Sequence, residues 1–183
     1  MRYRSLLLQT QTIFTHSRGE VLINLRFERY PCVLIKKGVF PVLRIGIIYW
    51  SGTGNTEKIA SLIQRGAGEA GAEVECRCVS DASPGELDRY DVVVFGSPAM
   101  GAETVEESEM VPFVREALPG LKGKKAALFG SYGWGDGEWM RGWVAELNDA
   151  GINVLDGGLM VCEAPDGEKA DLCLDYGKRI AGF

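Results

Sequence analysis

Between Asp91 and Gly96 the chain reads Val-Val-Val-Phe, with no polar side chain to turn toward water. A strand of that composition has to be covered on both faces. Leu43–Tyr49 and Lys125–Gly130 are similar short apolar runs, and Glu73–Val79 alternates apolar and polar residues as a further strand would. Amphipathic stretches lie among them. Asn55–Ala70 places Ile59, Ala60, Leu62, Ile63 and Ala67 at helical spacing and stops at Gly71. Ser108–Leu118 reads as a helix with Pro112 near its first turn, where a missing N–H is tolerated. Gly137–Ala150 is a helix closed by Gly151, Ile152–Val161 a fifth strand, and Asp166–Ile180 a terminal helix. Strand and helix alternating throughout predict an α/β domain, a doubly wound parallel sheet with helices on both faces. In such a sheet the strand-to-helix loops gather beyond the carboxyl ends of the strands, and ligands bind where the strand order reverses.

Charge divides the chain. Residues 1–41 carry seven Lys/Arg against two Asp/Glu, whereas residues 42–183 carry 13 against 23, a net −10. The break is read as a boundary between an N-terminal extension (1–41) and one domain (42–183). The extension has no small-residue cleavage site after Leu6–Leu8, although it is Arg-rich and acid-poor like a transit peptide. Val21–Tyr30 partly alternates, as a strand would. The remaining chain reads as complete without it. The extension is therefore expected to have no defined role: a start placed too far upstream, or a disordered arm. An edge strand or partner-binding arm is the alternative.

Composition removes several chemistries. The five cysteines are odd in number and form no Cys-x-x-Cys pair, so reduced thiols in a cytoplasm are expected. His16 is the single histidine, which excludes most zinc sites and most Ser-His-Asp triads. No apolar run reaches the ~20 residues of a membrane helix. Whatever chemistry occurs here belongs to a bound cofactor or is simple binding.

Three unusual segments each follow a strand. Trp50-Ser-Gly-Thr-Gly-Asn-Thr56 opens the first helix. Its glycines permit a tight turn with N–H groups facing inward, Ser51, Thr53, Asn55 and Thr56 add polar side chains, and the helix N-terminus favours an anion. The triphosphate-loop pattern fails for want of a lysine, and Glu57 stands where a dinucleotide fingerprint needs its third glycine. Neutral donors without lysine suit a single terminal phosphate. Read plainly, the segment is a polar turn capping a helix. In Ser97-Pro-Ala-Met-Gly-Ala-Glu103, Met100 offers a soft thioether to an aromatic ring, though an isolated methionine more often fills a core, and Gly101 permits positive φ. In Gly130-Ser-Tyr-Gly-Trp-Gly-Asp-Gly137, a tryptophan among four glycines is more suited to stacking on a flat ligand than to a core. Phosphate nest, methionine and tryptophan together describe a flat aromatic ring with a terminal phosphate, which flavin mononucleotide (FMN) fits.

At Trp50–Thr56, Ala99–Glu103 and Gly130–Gly137, the sequence closely resembles the short-chain flavodoxins of anaerobic bacteria, from about Leu43 to the C-terminus. The resemblance implies a flavodoxin-like, five-stranded parallel sheet in the order 2-1-3-4-5. It also implies non-covalent FMN and low-potential one-electron transfer between proteins rather than enzymatic turnover. By position, Ser51, Thr53, Asn55 and Thr56 would hold the phosphate with the amides of Gly52 and Gly54. Met100 and Trp134 would cover opposite faces of the ring, and Glu103 would accept from its N3–H. Gly133, Gly135 and Asp136 would contact the polar edge through their backbone, with Ser131, Tyr132 and Ala99 nearby. Two positions depart from the pattern: Ala102 where Asp is common, and Pro98 where Ser is common. If the Gly101–Ala102 peptide rotates, the Gly101 carbonyl accepts from flavin N5–H in reduced states.

Glu103, Glu106, Glu107 and Glu109 are expected to dock basic faces of redox partners, or else to suit a helix dipole. A cytoplasmic monomer without nucleic-acid or membrane binding follows. The rival readings are an NAD(P)H-dependent FMN quinone reductase, a receiver module and a domain of a larger reductase. Trp134 obstructs the second ring the first requires, and the second lacks its paired acids after the first strand.

Overall fold

The computed structural model describes residues 42–183 and, before them, the backbone of three strands: β1 (Gln9–Ile13), β2 (Leu22–Phe27) and β3 (Tyr30–Lys36). The chain divides into two compact units at Pro41/Val42. In the first unit, β1, β2 and β3 form an antiparallel sheet in that order. The expected strand over Val21–Tyr30 contains β2, but its last residue, Tyr30, already begins β3. His16 lies outside the described residues.

The second unit runs β4 (Arg44–Tyr49), α1 (Asn55–Glu69), β5 (Glu73–Cys78), β6 (Val92–Gly96), α2 (Met110–Leu121), β7 (Lys125–Tyr132), α3 (Glu138–Asp149), β8 (Asn153–Val154), β9 (Leu159–Cys162) and α4 (Glu168–Ala181). Its strands pair in parallel in the order β5-β4-β6-β7, with β8 and β9 both on β7. Counting β8 and β9 as one position, this is the 2-1-3-4-5 order.

Strand pleating sorts the core into two layers. Ile45, Ile47, Val92, Val94, Ala127 and Phe129 pack against Ile59, Ala60 and Ile63 of α1 and Cys173, Tyr176 and Ile180 of α4. Ile48, Val93, Phe95, Ala126 and Leu128 pack against Met110, Phe113 and Leu121 of α2 and Trp139, Met140 and Trp143 of α3. Each fully buried Val, Ile or Phe contributes roughly 1.5–3 kcal/mol. The α1–α4 crossing is close because Gly66 and Gly177 stand at it. A Cβ at Gly66 would overlap the Leu174 carbonyl, and one at Gly177 the Ile63 carbonyl.

Three local expectations are corrected. The alternation of strand and helix fails between β5 and β6, where two 3-10 segments, Val79–Asp81 and Pro84–Arg89, replace a helix. Ser83-Pro84-Gly85 breaks any longer helix there. The expected fifth strand, Ile152–Val161, is split into β8 and β9. Asp156 and Gly158 turn to φ 49° and 77° between them. Helix α2 starts two residues later than Ser108 and runs past Pro119 to Leu121, because a proline in a last turn costs only a bond near the helix end.

Candidate functional site

Strand β4 lies at the reversal of strand order, so the loops after β4 and β6 diverge and open a crevice between them. The loop after β7 closes its third side. Two backbone contacts fix this convergence. Ala99 N–H donates to the Ser131 carbonyl at 2.8 Å, and Ser97 N–H to the Phe129 carbonyl at 3.1 Å. Gly130 is required for the approach, since a Cβ there would overlap the Ser97 carbonyl and the Trp139 ring.

The crevice is a cavity of about 260 Å³ lined by Trp50, Gly52, Thr53, Asn55, Thr56, Pro98, Ala99, Met100, Ser131, Tyr132, Gly133 and Glu163. One wall is the start of α1. Gly54, at φ 89°, turns the chain into the helix, and the Ser51 hydroxyl accepts from Gly54 N–H at 3.1 Å and Glu57 N–H at 3.3 Å. Its own proton remains free to donate. Among the described residues, the N–H groups of Ser51, Gly52, Thr53, Asn55 and Thr56 donate to no protein acceptor. Helix geometry leaves the first-turn donors open, and those of Gly52, Thr53, Asn55 and Thr56, four residues that line one cavity, form a cradle for an anion. Among the described residues, no Lys or Arg lines it. Thr56, fully buried, hydrogen-bonds Ser131 at 2.9 Å and so joins the first loop to the third.

The loop after β6 is a closed turn. Met100 N–H donates to the Thr104 carbonyl at 2.8 Å, and Thr104 N–H to the Met100 carbonyl at 2.9 Å. Gly101 takes φ 49° and Glu103 φ 54°. The Glu103 side chain crosses to the third loop, where one carboxylate oxygen accepts from Gly137 N–H at 3.0 Å and the chain lies over Gly135. Its other oxygen stays available. Met100 is 39% and Trp134 64% exposed, so a thioether in the cavity lining and an indole on the loop after β7 both present apolar surface. Asp136 is held by Arg141, which donates to its carbonyl and carboxylate at 2.8 and 2.9 Å; the guanidinium keeps this carboxyl below its usual range.

The structure thus brings Gly52, Thr53, Asn55, Thr56, Pro98, Ala99, Met100, Ser131, Tyr132 and Gly133 into one cavity. It sets Gly101, Trp134, Gly135 and Asp136 outside it, while Ala102 and Glu103 line a neighbouring groove of about 610 Å³ between α2 and α3. Ser51 and Gly54 shape the first loop rather than line the cavity. Ser131 and Tyr132 belong to β7 rather than to a loop, because β9 extends the pairing to Tyr132.

Glu106 is a correction. It is buried, and its carboxylate caps α2, accepting from the N–H groups of Ser108, Glu109 and Met110 at 2.7–2.9 Å and from the Ser108 hydroxyl. Burial pushes this carboxyl up, but those hydrogen bonds outweigh it and hold it below the ordinary range. It is not a docking residue. Glu109, which accepts from Trp50 Nε1 at 2.9 Å, is a strut to the first loop, whereas Glu107 is exposed.

Sequence reasoning missed two lining residues. Trp50 lies over Gly52, and Glu163 follows β9 at the same carboxyl edge as the three loops. Position after a strand was the signal for Glu163.

Residues 47–177 match the family model "Flavodoxin". A flavodoxin of Clostridium beijerinckii is 49% identical over 137 residues, covering 75% of this chain and 99% of the relative. One from Megasphaera elsdenii is 44% identical, covering 75% and 98%. The solution structure of two-electron reduced Megasphaera elsdenii flavodoxin superposes with a TM-score of 0.69 at 42% identity, covering 76% of this chain and 99% of that one.

Proposed function

Because the chain belongs to the flavodoxin family, a family of FMN-binding electron carriers, we propose that the crevice between its three strand-end loops is the FMN site. The observation that carries this reading is the set of unpaired N–H groups on Gly52, Thr53, Asn55 and Thr56, which line a cavity with no Lys or Arg among its described lining residues. Such donors bind a phosphate through hydrogen bonds and helix dipole alone. The side chains of Thr53, Asn55 and Thr56 supply further polar contacts, and Gly54 and Ser51 fix the loop's shape.

Bound there, FMN supplies one-electron chemistry, and the protein tunes it. Met100 and Trp134 shield opposite faces of the ring from water. The free oxygen of Glu103 accepts from ring N3–H, while its bonded oxygen keeps the second and third loops together. Backbone groups of Gly133, Gly135 and Asp136 meet the polar edge. The Gly101 carbonyl, in a turn already closed by Met100 and Thr104, takes the N5–H acceptor role. Negative charge over residues 42–183 disfavours further charge on the ring, which lowers the potential for the second electron.

The proposed partners are redox proteins with basic faces. Glu107 is exposed, and with Glu103, Glu138 and Glu146 it lines the groove beside the flavin edge. These acids would steer a basic face toward the ring. A monomer is favoured because, among the described residues, the exposed large apolar ones, Val42, Met100, Trp134, Met160 and Leu172, are few. Free Cys76, Cys78, Cys162 and Cys173 support a cytoplasmic setting. Among the described residues, no helix is long and apolar enough to cross a membrane.

Titration of the apoprotein with FMN and with riboflavin tests the site. The cradle requires FMN to bind at least tenfold more tightly at equal ring chemistry. Equal affinity for the two ligands would remove the phosphate from Ser51–Thr56.

A further inference from the structure

Two of the four donors lining the cavity are placed by packing alone. Among the described residues, Gly52 and Thr53 make no hydrogen bond to another residue through N–H, carbonyl or side chain. The Ser51 hydroxyl fixes the loop only further on, at Gly54 and Glu57. Glycine has the widest backbone freedom of any residue, so the local chain does not set which way the Gly52 peptide points. What lies against it is the Trp50 indole, and a Cβ on Gly52 would come within 2.8 Å of that ring. The indole is held from two sides. Trp50 N–H donates to the Gly96 carbonyl at 2.9 Å, and its Nε1 donates to a Glu109 carboxylate oxygen at 2.9 Å. Glu109 stands at the start of α2, anchored by its own N–H to the Glu106 carboxylate at 2.9 Å and followed by the fully buried Met110. The Glu109 side chain is not part of the cavity lining, whereas Trp50 is. Whatever Glu109 does for a ligand it therefore does through the indole.

We propose that Glu109 is a positioning residue: its carboxylate locks the Trp50 indole over Gly52 and so holds the Gly52 and Thr53 amides where a phosphate meets them. The proposal rests on the FMN reading of the cleft. A charged acceptor makes the stronger hydrogen bond, which suits a strut between a helix anchored in the core and a loop with few bonds of its own.

Fluorescence titration of the apoproteins with FMN and with riboflavin separates this role from a structural one. Glu109→Ala should raise the FMN dissociation constant about three- to tenfold, the worth of one net hydrogen bond, and leave riboflavin affinity unchanged. Glu109→Gln keeps an acceptor oxygen and should recover most of the loss. Trp50→Phe keeps an aromatic ring but removes the donor. It should weaken FMN binding similarly, and adding Glu109→Ala to it should cost nothing more. Unchanged FMN affinity in Glu109→Ala would overturn the proposal. So would an equal loss for riboflavin, which would make the strut merely structural, or additive losses in the double variant. Tighter FMN binding would overturn it too, by making Glu109 a charge that repels the phosphate. Wild-type protein that binds FMN no more tightly than riboflavin would take the cradle and this proposal down together. Wild-type protein that discriminates, beside a Glu109→Ala protein that discriminates equally, would sink this proposal alone.

Discussion

Gly101 offers a test in which backbone conformation is changed and nothing else. Its φ is 49°, and a Cβ added to it would meet no heavy atom within 4 Å. Gly101→Ala therefore introduces no clash, and its cost is that of holding an L-residue in left-handed backbone, about 1–2 kcal/mol. If the oxidised form relaxes Gly101 to negative φ and only the reduced form needs the φ seen here to present the carbonyl to N5–H, the cost falls on the reduced form. With ~59 mV corresponding to a tenfold change for one electron, the first one-electron potential should drop by roughly 40–90 mV. Spectroelectrochemical titration measures it. Gly71→Ala is the control, since Gly71 has φ 94°, no heavy atom within 4 Å of its added Cβ, and a place at the far end of α1. It should lower urea stability by a similar amount without moving either potential. A Gly101→Ala protein that is less stable yet keeps both potentials would refute the reasoning, because the turn would then not distinguish redox states.

Other consequences can be measured independently. Gly66→Ala pushes a methyl group into the Leu174 carbonyl at the α1–α4 crossing and should cost about 1–3 kcal/mol in urea unfolding, with flavin affinity retained. The lowered pKa of Glu106 implies stability that is present above its unfolded value of about 4.3 and lost as pH falls through the folded value. Glu106→Gln should therefore be less stable than wild type by about 1–3 kcal/mol near neutral pH, with the gap closing in acid. Electron transfer to a basic partner should slow as salt rises past the ~10 Å screening length of 0.1 M, and Glu107→Lys should slow it most at low ionic strength. Salt-insensitive rates would remove the acidic edge from docking.

The central strands were legible because burial on both faces leaves no polar residue in Val92–Phe95, and from them the parallel sheet and its ligand edge followed. The three loops were legible through residue chemistry that secondary structure does not need, such as a tryptophan between glycines. The break in the fifth strand was overlooked. Apolar residues at both ends of Ile152–Val161 read as one run, although Asp156-Gly157-Gly158 between them is a turn signal that the single-strand reading passed over; the two halves pair to opposite ends of β7. Glu106 lay in a run of acids, where a cap and a solvated charge look alike until burial is known. The same holds for Gly130 and Gly66, whose importance lies in partners distant in sequence. The unpaired amides of the first loop are a property of its folded turn, not of its residue types, so only the polarity of that loop was visible beforehand.

A crystal structure of the FMN complex bears most directly on the whole account. It should place the phosphate oxygens within hydrogen-bond distance of the Ser51–Thr56 amides, and the ring between the Met100 thioether and the Trp134 indole. A phosphate held by a lysine or arginine, or a ring seated away from those two side chains, would contradict it.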